Sequence, residues 1–307
     1  MNPASRISIV VLTYNRRAEI QRTLERLLGN GESTESTAVG AAGGTANEAA
    51  QICVVDNGSR DGTAEVIARR FPTLRLIRLA ENFGAAGRNR GVQAARTPYV
   101  AFCDDDTWWA PGALTRATEL LDRHPELAAL TARVLVGPED REDPTCRLMA
   151  ASPIPAIPGI DGIAIVAGLL AGACVIRREA FLAAGGYEPR LFLGGEERLL
   201  ALDLMAAGWH LGYAPALVVH HHPSSLRDSA ARRHLLLRNA LWCAWLRRPL
   251  PGALRESLAR LRAVAGEPRL LAAVFDALQG LPWVLRRRRV IPGQVEARLQ
   301  LVERQQA

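Results

Sequence analysis

Three consecutive carboxylates, Asp104-Asp105-Asp106, close the apolar run Tyr99–Cys103. Acids this close repel one another unless a cation offsets them. A hard divalent ion with oxygen ligands, carrying a diphosphate, suits such a cluster; a solvated acidic loop capping the helix after Pro111 is the alternative. A second acidic pair, Glu196-Glu197, follows Gly194-Gly195 at the start of a helical pattern. Its plain reading is acid set against the helix dipole; its sharper one is a general base at a helix tip facing a cleft. The run His220-His221-His222 follows another apolar stretch and favours a metal or phosphate ligand. Alternation along an extended segment puts His220 and His222 on one face and His221 on the other.

These groups need elements to hold them. Apolar runs at Ile7–Thr13, Gln51–Val55, Leu74–Leu79 and Tyr99–Cys103 read as strands, and helical patterns lie between them. That alternation predicts an α/β fold with a parallel sheet and right-handed crossovers. Thr13-Tyr14-Asn15, Asp56-Asn57-Gly58-Ser59 and the triple Asp would then share the carboxyl edge of the sheet, where ligands bind in open α/β folds. Asp56 could accept a base N–H or a ribose hydroxyl, while Asp104 and Asp106 suit ribose and metal respectively. Further strands are expected at Leu127–Val136, Gly168–Ile176 and Leu217–Val219, further helices at Gly112–Arg123, Arg177–Ala184 and Glu196–Ala207, and a loop or irregular hairpin over Pro138–Pro158.

Composition sets the outer bounds. The chain has 307 residues, 49 % of them apolar, enough for a sizeable core. Net charge is +7 and lysine is absent, so every basic side chain is Arg, whose planar fork suits phosphate. The five cysteines are widely spaced without a C-x-x-C pair and read as buried hydrophobes in a reducing compartment. The opening Met1-Asn2-Pro3 followed by a strand does not read as a secretory leader. Small polar residues over 29–50 predict a flexible surface insertion. After residue 225 strand signals stop, and 226–307 reads as a basic, amphipathic helical extension. There Trp242, Trp245 and Trp283 lie near arginine pairs and Arg286–Arg289, a pairing that fits an anionic membrane surface. A solvated helix face, or helices packed on the first domain, is the plainer reading. Basicity would permit nucleic-acid binding, but no nucleic-acid module is recognisable, and none is expected as a partner.

The segments Val10–Asn15, Val54–Thr63, Asn82–Gly91 and the triple Asp, in this order, resemble the family-2 glycosyltransferases, most closely their rhamnosyltransferase-like branch. The likeness continues through Gly172-Ala173, Arg177-Arg178, Gly185-Gly186-Tyr187 and Gly208-Trp209 to the His run, covering roughly residues 6–225. It implies a GT-A fold over residues 1–225 and inverting transfer from a UDP- or dTDP-linked sugar to a hydroxyl acceptor, a lipid-linked glycan of the cell envelope among the candidates. The setting it implies is cytoplasmic, peripheral on the inner membrane face. Carried over, Thr13, Asn15, Asp56, Arg88, Asp104 and Asp105 fall in the nucleotide-sugar site. Asp104, Asp106, His220 and His222 fall to a divalent metal, Mn2+ or Mg2+. The family's acidic pair reads Glu-Asp with the second member as base; here it is Glu196-Glu197, which places Glu197 as base with Glu196 beside it. That longer side chain leaves a catalytically inactive nucleotide-sugar-binding relative as the alternative.

Overall fold

The computed structural model describes residues 6–29, 50–223, 229–263, 267 and 271–306. Its first half follows the alternating pattern. Strands β1 (Ile7–Thr13), β2 (Gln51–Asp56), β3 (Arg75–Arg78) and β4 (Tyr99–Asp104) are parallel, in spatial order β3-β2-β1-β4. Helices α1 (Arg17–Leu27), α2 (Thr63–Arg70) and α3 (Arg88–Ala94) connect them. On α1, Ile20, Thr23, Leu24 and Leu27 are buried, one face at helical spacing. The chain goes one way from β1 to β2 and the other way to β4, so a crevice opens at the carboxyl ends where the order reverses. The register sets Thr13 opposite Asp56 and Leu12 opposite Asp104, which brings the three polar clusters side by side.

Beyond β4 the sheet becomes mixed. It adds β5 (Thr107–Trp109), β6 (Leu127–Val136), β7 (Arg141–Glu142), β8 (Ala164–Val166), β9 (Cys174–Arg177) and β10 (His210–His221). Strand β9 runs antiparallel to both β4 and β6, so β6 regains the direction of β4, and β10 pairs parallel with β6. The end of β10 therefore reaches the same edge as Asp104. The expectation of a mostly parallel sheet holds for β1–β4; of the later pairings only β6 with β10 is parallel. Strand β10 is also longer than the sequence indicates. Pro215 lacks an N–H, and a register shift between Ala214 and Val218 carries the strand past it.

Helices α4 (Ala113–Arg123), α5 (Pro144–Ala150), α6 (Arg178–Ala183) and α7 (Glu196–Ala206) flank this half. Helix α5 occupies part of the expected loop; Asp143 caps it, accepting from the Thr145 N–H at 2.8 Å, and Pro144 opens it. The expected insertion over 29–50 lies, but for its end residues, outside the described residues, as does the boundary expected near 226.

The rest of the chain is helical: α8 (Ser229–Arg247), α9 (Leu250–Ala263), α10 (Leu271–Gln279), α11 (Leu281–Arg287) and α12 (Gly293–Gln306). These helices do not stand apart. Leu237, Leu241, Trp242 and Leu246 of α8 form a second core with Trp283, Val284 and, from the segment around the start of α7, Leu191 and Leu199. Ile291, Val295 and Leu299 join the main core under the sheet. Of the arginines and tryptophans expected at a membrane, Trp242, Trp283, Arg247 and Arg248 are interior, while Arg232, Arg233, Arg286, Arg287 and Arg289 are exposed. Trp242 and Trp283 pack edge to face, Arg247 pairs with Asp203, and Arg248 is enclosed by Glu256, Glu296 and Glu303. All five cysteines are buried and unpaired.

Candidate active site

The cleft over the crevice has two adjoining compartments. One, of about 240 Å3, is lined by Thr13, Arg16, Asn57, Asn82, Arg88 and the three aspartates. The other, of about 580 Å3, is lined by Arg88, Asp104, Gly172, Glu196, Glu197 and His221, with Ala231, Arg232 and Leu235 of α8. Arg16, Arg88, Asp104, Phe192 and Leu193 face both. Strand ends therefore bring Thr13, Asp104, Asp105 and Asp106 together with Arg88, Glu196 and Glu197 at helix starts.

Arg88 is the cation at the centre. It is buried, its guanidinium pairs with Asp104, and its Nε finds no hydrogen-bond partner. The carboxylates of Asp104, Glu196 and Glu197 together hold its charge firmly against the cost of burial. Asp104 is fixed from its other sides. Its N–H donates to Thr107 Oγ1 at 2.8 Å, and Gly172 approaches so closely that a Cβ there would lie 2.6 Å from Asp104 Oδ2. Burial, with like charge from Asp106 and Asp104, pushes the Asp105 carboxyl up to about 7, and the Thr13 hydroxyl opposes the shift. Asp106 is buried, and its Oδ1 lies 3.5 Å from His221 Nε2.

The histidines divide as alternation requires, but the face turned to the acids is that of His221. The antiparallel pairing of β10 with β5 sets His221 opposite Thr107 and so beside Asp106. The expected metal ligands His220 and His222 point to the other side of the strand. His220 stacks on Trp108 with ring centroids 5.4 Å apart, and its Nδ1 lies 2.9 Å from Asp140 Oδ1; His222 packs edge-on to the same ring at 4.7 Å. Two further expected residues do not line the cleft. Asp56 is buried at the end of β2 and accepts from the Ser59 N–H at 3.3 Å. Asn15, at φ 51°, ties two loops together: its N–H donates to Ser59 Oγ at 2.9 Å, and its Oδ1 accepts from the Arg60 N–H at 2.8 Å. Asn57 takes the lining place beside Asp56, its amide donating to Asn82 Oδ1 at 2.8 Å and the Gly84 carbonyl at 2.9 Å.

The acid pair begins α7 behind Gly195, at φ 92°. Glu196 is 3 % exposed and its Oε2 has no hydrogen-bond partner; Glu197 is half-buried. Burial raises both carboxyls, and the charge of Glu197 adds to the shift on Glu196. Phe192, four residues before Glu196, was not among the sequence candidates. It lines both compartments from a left-handed backbone position, φ 61°, ψ −67°, and no local sequence signal marks it.

The donor set fits a divalent cation only in part. Asp106 and His221 converge and offer oxygen and imidazole ligands, but no group of three His, Cys, Asp or Glu is arranged to hold an ion among the described residues. Such a set suits an ion completed by phosphate oxygens from a substrate.

The fold has counterparts among proteins of known structure. Residues 1–349 of TarS from S. aureus in complex with UDP-GlcNAc superpose with a TM-score of 0.58 at 16 % identity, over 95 % of this chain and 83 % of that fragment. A mannosyltransferase from Pyrobaculum calidifontis in complex with GDP-Man and Mn2+ gives 0.55 at 19 %, over 97 % and 86 %. The fold is of the GT-A type. An N-acetylglucosaminyl-diphospho-decaprenol L-rhamnosyltransferase from Mycobacterium tuberculosis is 28 % identical over 250 residues, 68 % of this chain and 80 % of that protein. The family model for glycosyl transferase family 2 matches residues 8–184, and the chain belongs to that family.

Proposed function

We propose that the protein is an inverting, metal-dependent glycosyltransferase that moves a sugar from a UDP- or dTDP-linked donor to a hydroxyl acceptor on a lipid-linked cell-envelope glycan. The observation that carries this reading is the cleft whose two adjoining compartments hold the Arg88–Asp104 pair and the Asp106–His221 pair with Glu196 and Glu197. Thr13, Asn57 and Asp105 line the adjoining compartment and would bind the nucleoside. Asp106 and His221 would hold a divalent ion, which would supply positive charge to offset that of the diphosphate. Arg88 and Arg16 face the same space and would orient its oxygens.

Glu197 would act as the base. It is more exposed than Glu196, and burial raises its carboxyl above the ordinary range, which makes its carboxylate a stronger base. The acceptor hydroxyl gives its proton to the Glu197 carboxylate, and its oxygen bonds to the anomeric carbon on the face opposite the diphosphate. The anomeric carbon–oxygen bond breaks, the electron pair departs on the diphosphate, and configuration inverts. The donor and acceptor classes draw support from the rhamnosyltransferase relative, named for a diphospho-decaprenol substrate, and from the UDP-GlcNAc complex of TarS.

Membrane contact gains a different basis from the one expected. On α9, Leu250, Leu254, Leu258 and Leu261 are exposed at helical spacing, with Arg262 beside them. No helix among the described residues is long and apolar enough to cross a membrane. An interfacial α9 would bring the cleft to a lipid-linked acceptor. NMR of the product formed from UDP-GlcNAc or dTDP-rhamnose tests the reaction class: a product of opposite anomeric configuration to the donor is expected, and retention overturns inversion.

A further inference from the structure

The loop Leu191–Gly195 carries the chain into the acid pair, and its backbone is under strain. Leu193 N–H donates to the Leu191 carbonyl at 2.7 Å around Phe192 at φ 61°, ψ −67°, a tight turn that L-residues rarely adopt. Such a conformation persists only where its surroundings over-determine it. Two contacts do so. On the donor side, Ala85 N–H donates to the Phe192 carbonyl at 2.6 Å, and Gly84 leaves room for that carbonyl, since a Cβ there would lie 1.9 Å from it. On the other side stands α8.

Asn239 is fully buried, and its side-chain amide donates to the carbonyls of Leu191 at 2.7 Å, Leu193 at 3.1 Å and Gly194 at 2.5 Å. Its Oδ1 accepts from Arg238 Nε at 3.0 Å and Nη2 at 2.9 Å, which fixes the amide with its NH2 toward the loop. Gly194 and Gly195 face α8 at φ 84° and 92°, backbone positions that favour glycine; a Cβ on Gly194 would lie 2.6 Å from Leu236 Cδ2, and one on Gly195 3.2 Å from Asn239 Cβ.

We propose that Asn239 is a positioning residue for the acid pair, and that α8 is thereby part of the catalytic apparatus. By holding three consecutive-turn carbonyls, it sets where α7 begins and hence where Glu196 and Glu197 stand relative to Arg88. The same loop touches the turn that leads into Arg88, so one amide fixes the spacing between the two sides of the cleft. This inference rests on the role given above to the acid pair.

Asn239→Asp tests it, because it keeps the shape and replaces both N–H donors with oxygen lone pairs facing carbonyls. Hydrogen exchange of the amides of residues 191–199 is measured together with nucleotide diphosphate release from UDP-GlcNAc and dTDP-rhamnose, its pH profile, and UDP affinity with Mn2+. The expected result is at least tenfold faster exchange in 191–199, at least tenfold slower release with a displaced acid limb, and UDP affinity within twofold of the parent. His234→Gln, which removes a 2.8 Å contact of α8 with Asp276 remote from the loop, should change none of these. Unchanged exchange in Asn239→Asp overturns the proposal, as does faster exchange with an unchanged release rate and pH profile. Glu197→Gln run alongside keeps the two readings distinct. Full release in that variant overturns the role of the acid pair; full release in Asn239→Asp with Glu197→Gln inactive overturns only the positioning role. If neither donor is turned over by the parent, exchange alone decides.

Discussion

Arg88 and Asp104 form an ion pair at the carboxyl edge of the sheet, with the guanidinium buried and the carboxylate 38 % exposed. The pair joins the two sides of the cleft, since Arg88 also feels the charges of Glu196 and Glu197. Removing the guanidinium leaves three carboxylates without their shared cation. Partial solvent screening of Asp104 reduces the cost below that of a fully buried pair. Arg88→Met should cost on the order of 2 kcal/mol, lowering the melting temperature by about 4–8 °C, and should weaken UDP binding by about tenfold, as expected for one charge-assisted contact. Calorimetry with UDP and a melting curve check both.

The placement of the histidines gives a sharp contrast. Asp106→Asn and His221→Ala should each abolish most of the gain in UDP affinity that Mn2+ confers, a loss of about tenfold or more per ligand. His220→Ala and His222→Ala should leave that gain intact, because both rings pack on Trp108 away from the acids. Equal UDP affinity in EDTA and Mn2+ for the parent protein would contradict the metal site.

Burial of the acid pair makes stability depend on pH. The folded-state pKa of Glu196 is raised above the ordinary value of 4.5, so between these values the folded chain binds more protons than the unfolded one. This contribution to stability is full below 4.5 and is lost as pH rises through the raised pKa. Glu196→Gln removes that loss. It should raise the melting temperature at pH 8 by about 2–4 °C, equivalent to about 1 kcal/mol, with no gain at pH 4. A gain of equal size at both pH values would contradict the assignment.

The exposed leucines of α9 predict an interfacial helix. Flotation with vesicles rich in anionic lipid should recover the parent protein, and the double variant Leu254→Gln, Leu258→Gln should remain in the dense fraction. Both residues are exposed, so folding should be unaffected. Equal flotation of the two proteins would remove α9 as the contact.

Sequence reading placed the strand-end clusters well because each apolar run stops where its polar cluster begins, and parallel register then sets Thr13 beside Asp56 and Leu12 beside Asp104. Alternation divided the histidines between two faces, and the resemblance chose the face of His220 and His222, whereas it is His221 that lies beside Asp106. That placement depends on the pairing of His221 with Thr107, two positions far apart in the chain. Asn57 stood within a quoted motif, yet it lines the cleft and Asp56 does not, although both are buried. The signal for α5 was present in Asp143-Pro144, an N-cap followed by proline, but a proline-rich stretch concealed it. Phe192 and Asn239 had no local signature. Their roles come from the meeting of a glycine-flanked loop with a helix more than 40 residues later.

The central claim is that Glu197 removes the acceptor proton, opposite a donor held at Arg88, Asp104 and Asp106. Its most direct test is turnover of Glu197→Gln and Glu196→Gln with the same donor and acceptor, alongside their UDP affinities. Glutamine keeps shape and hydrogen bonding and removes basicity. Glu197→Gln should lose about 100-fold or more in turnover with UDP affinity within twofold, and Glu196→Gln should lose much less. Near-normal turnover in Glu197→Gln, with or without loss in Glu196→Gln, would contradict the account.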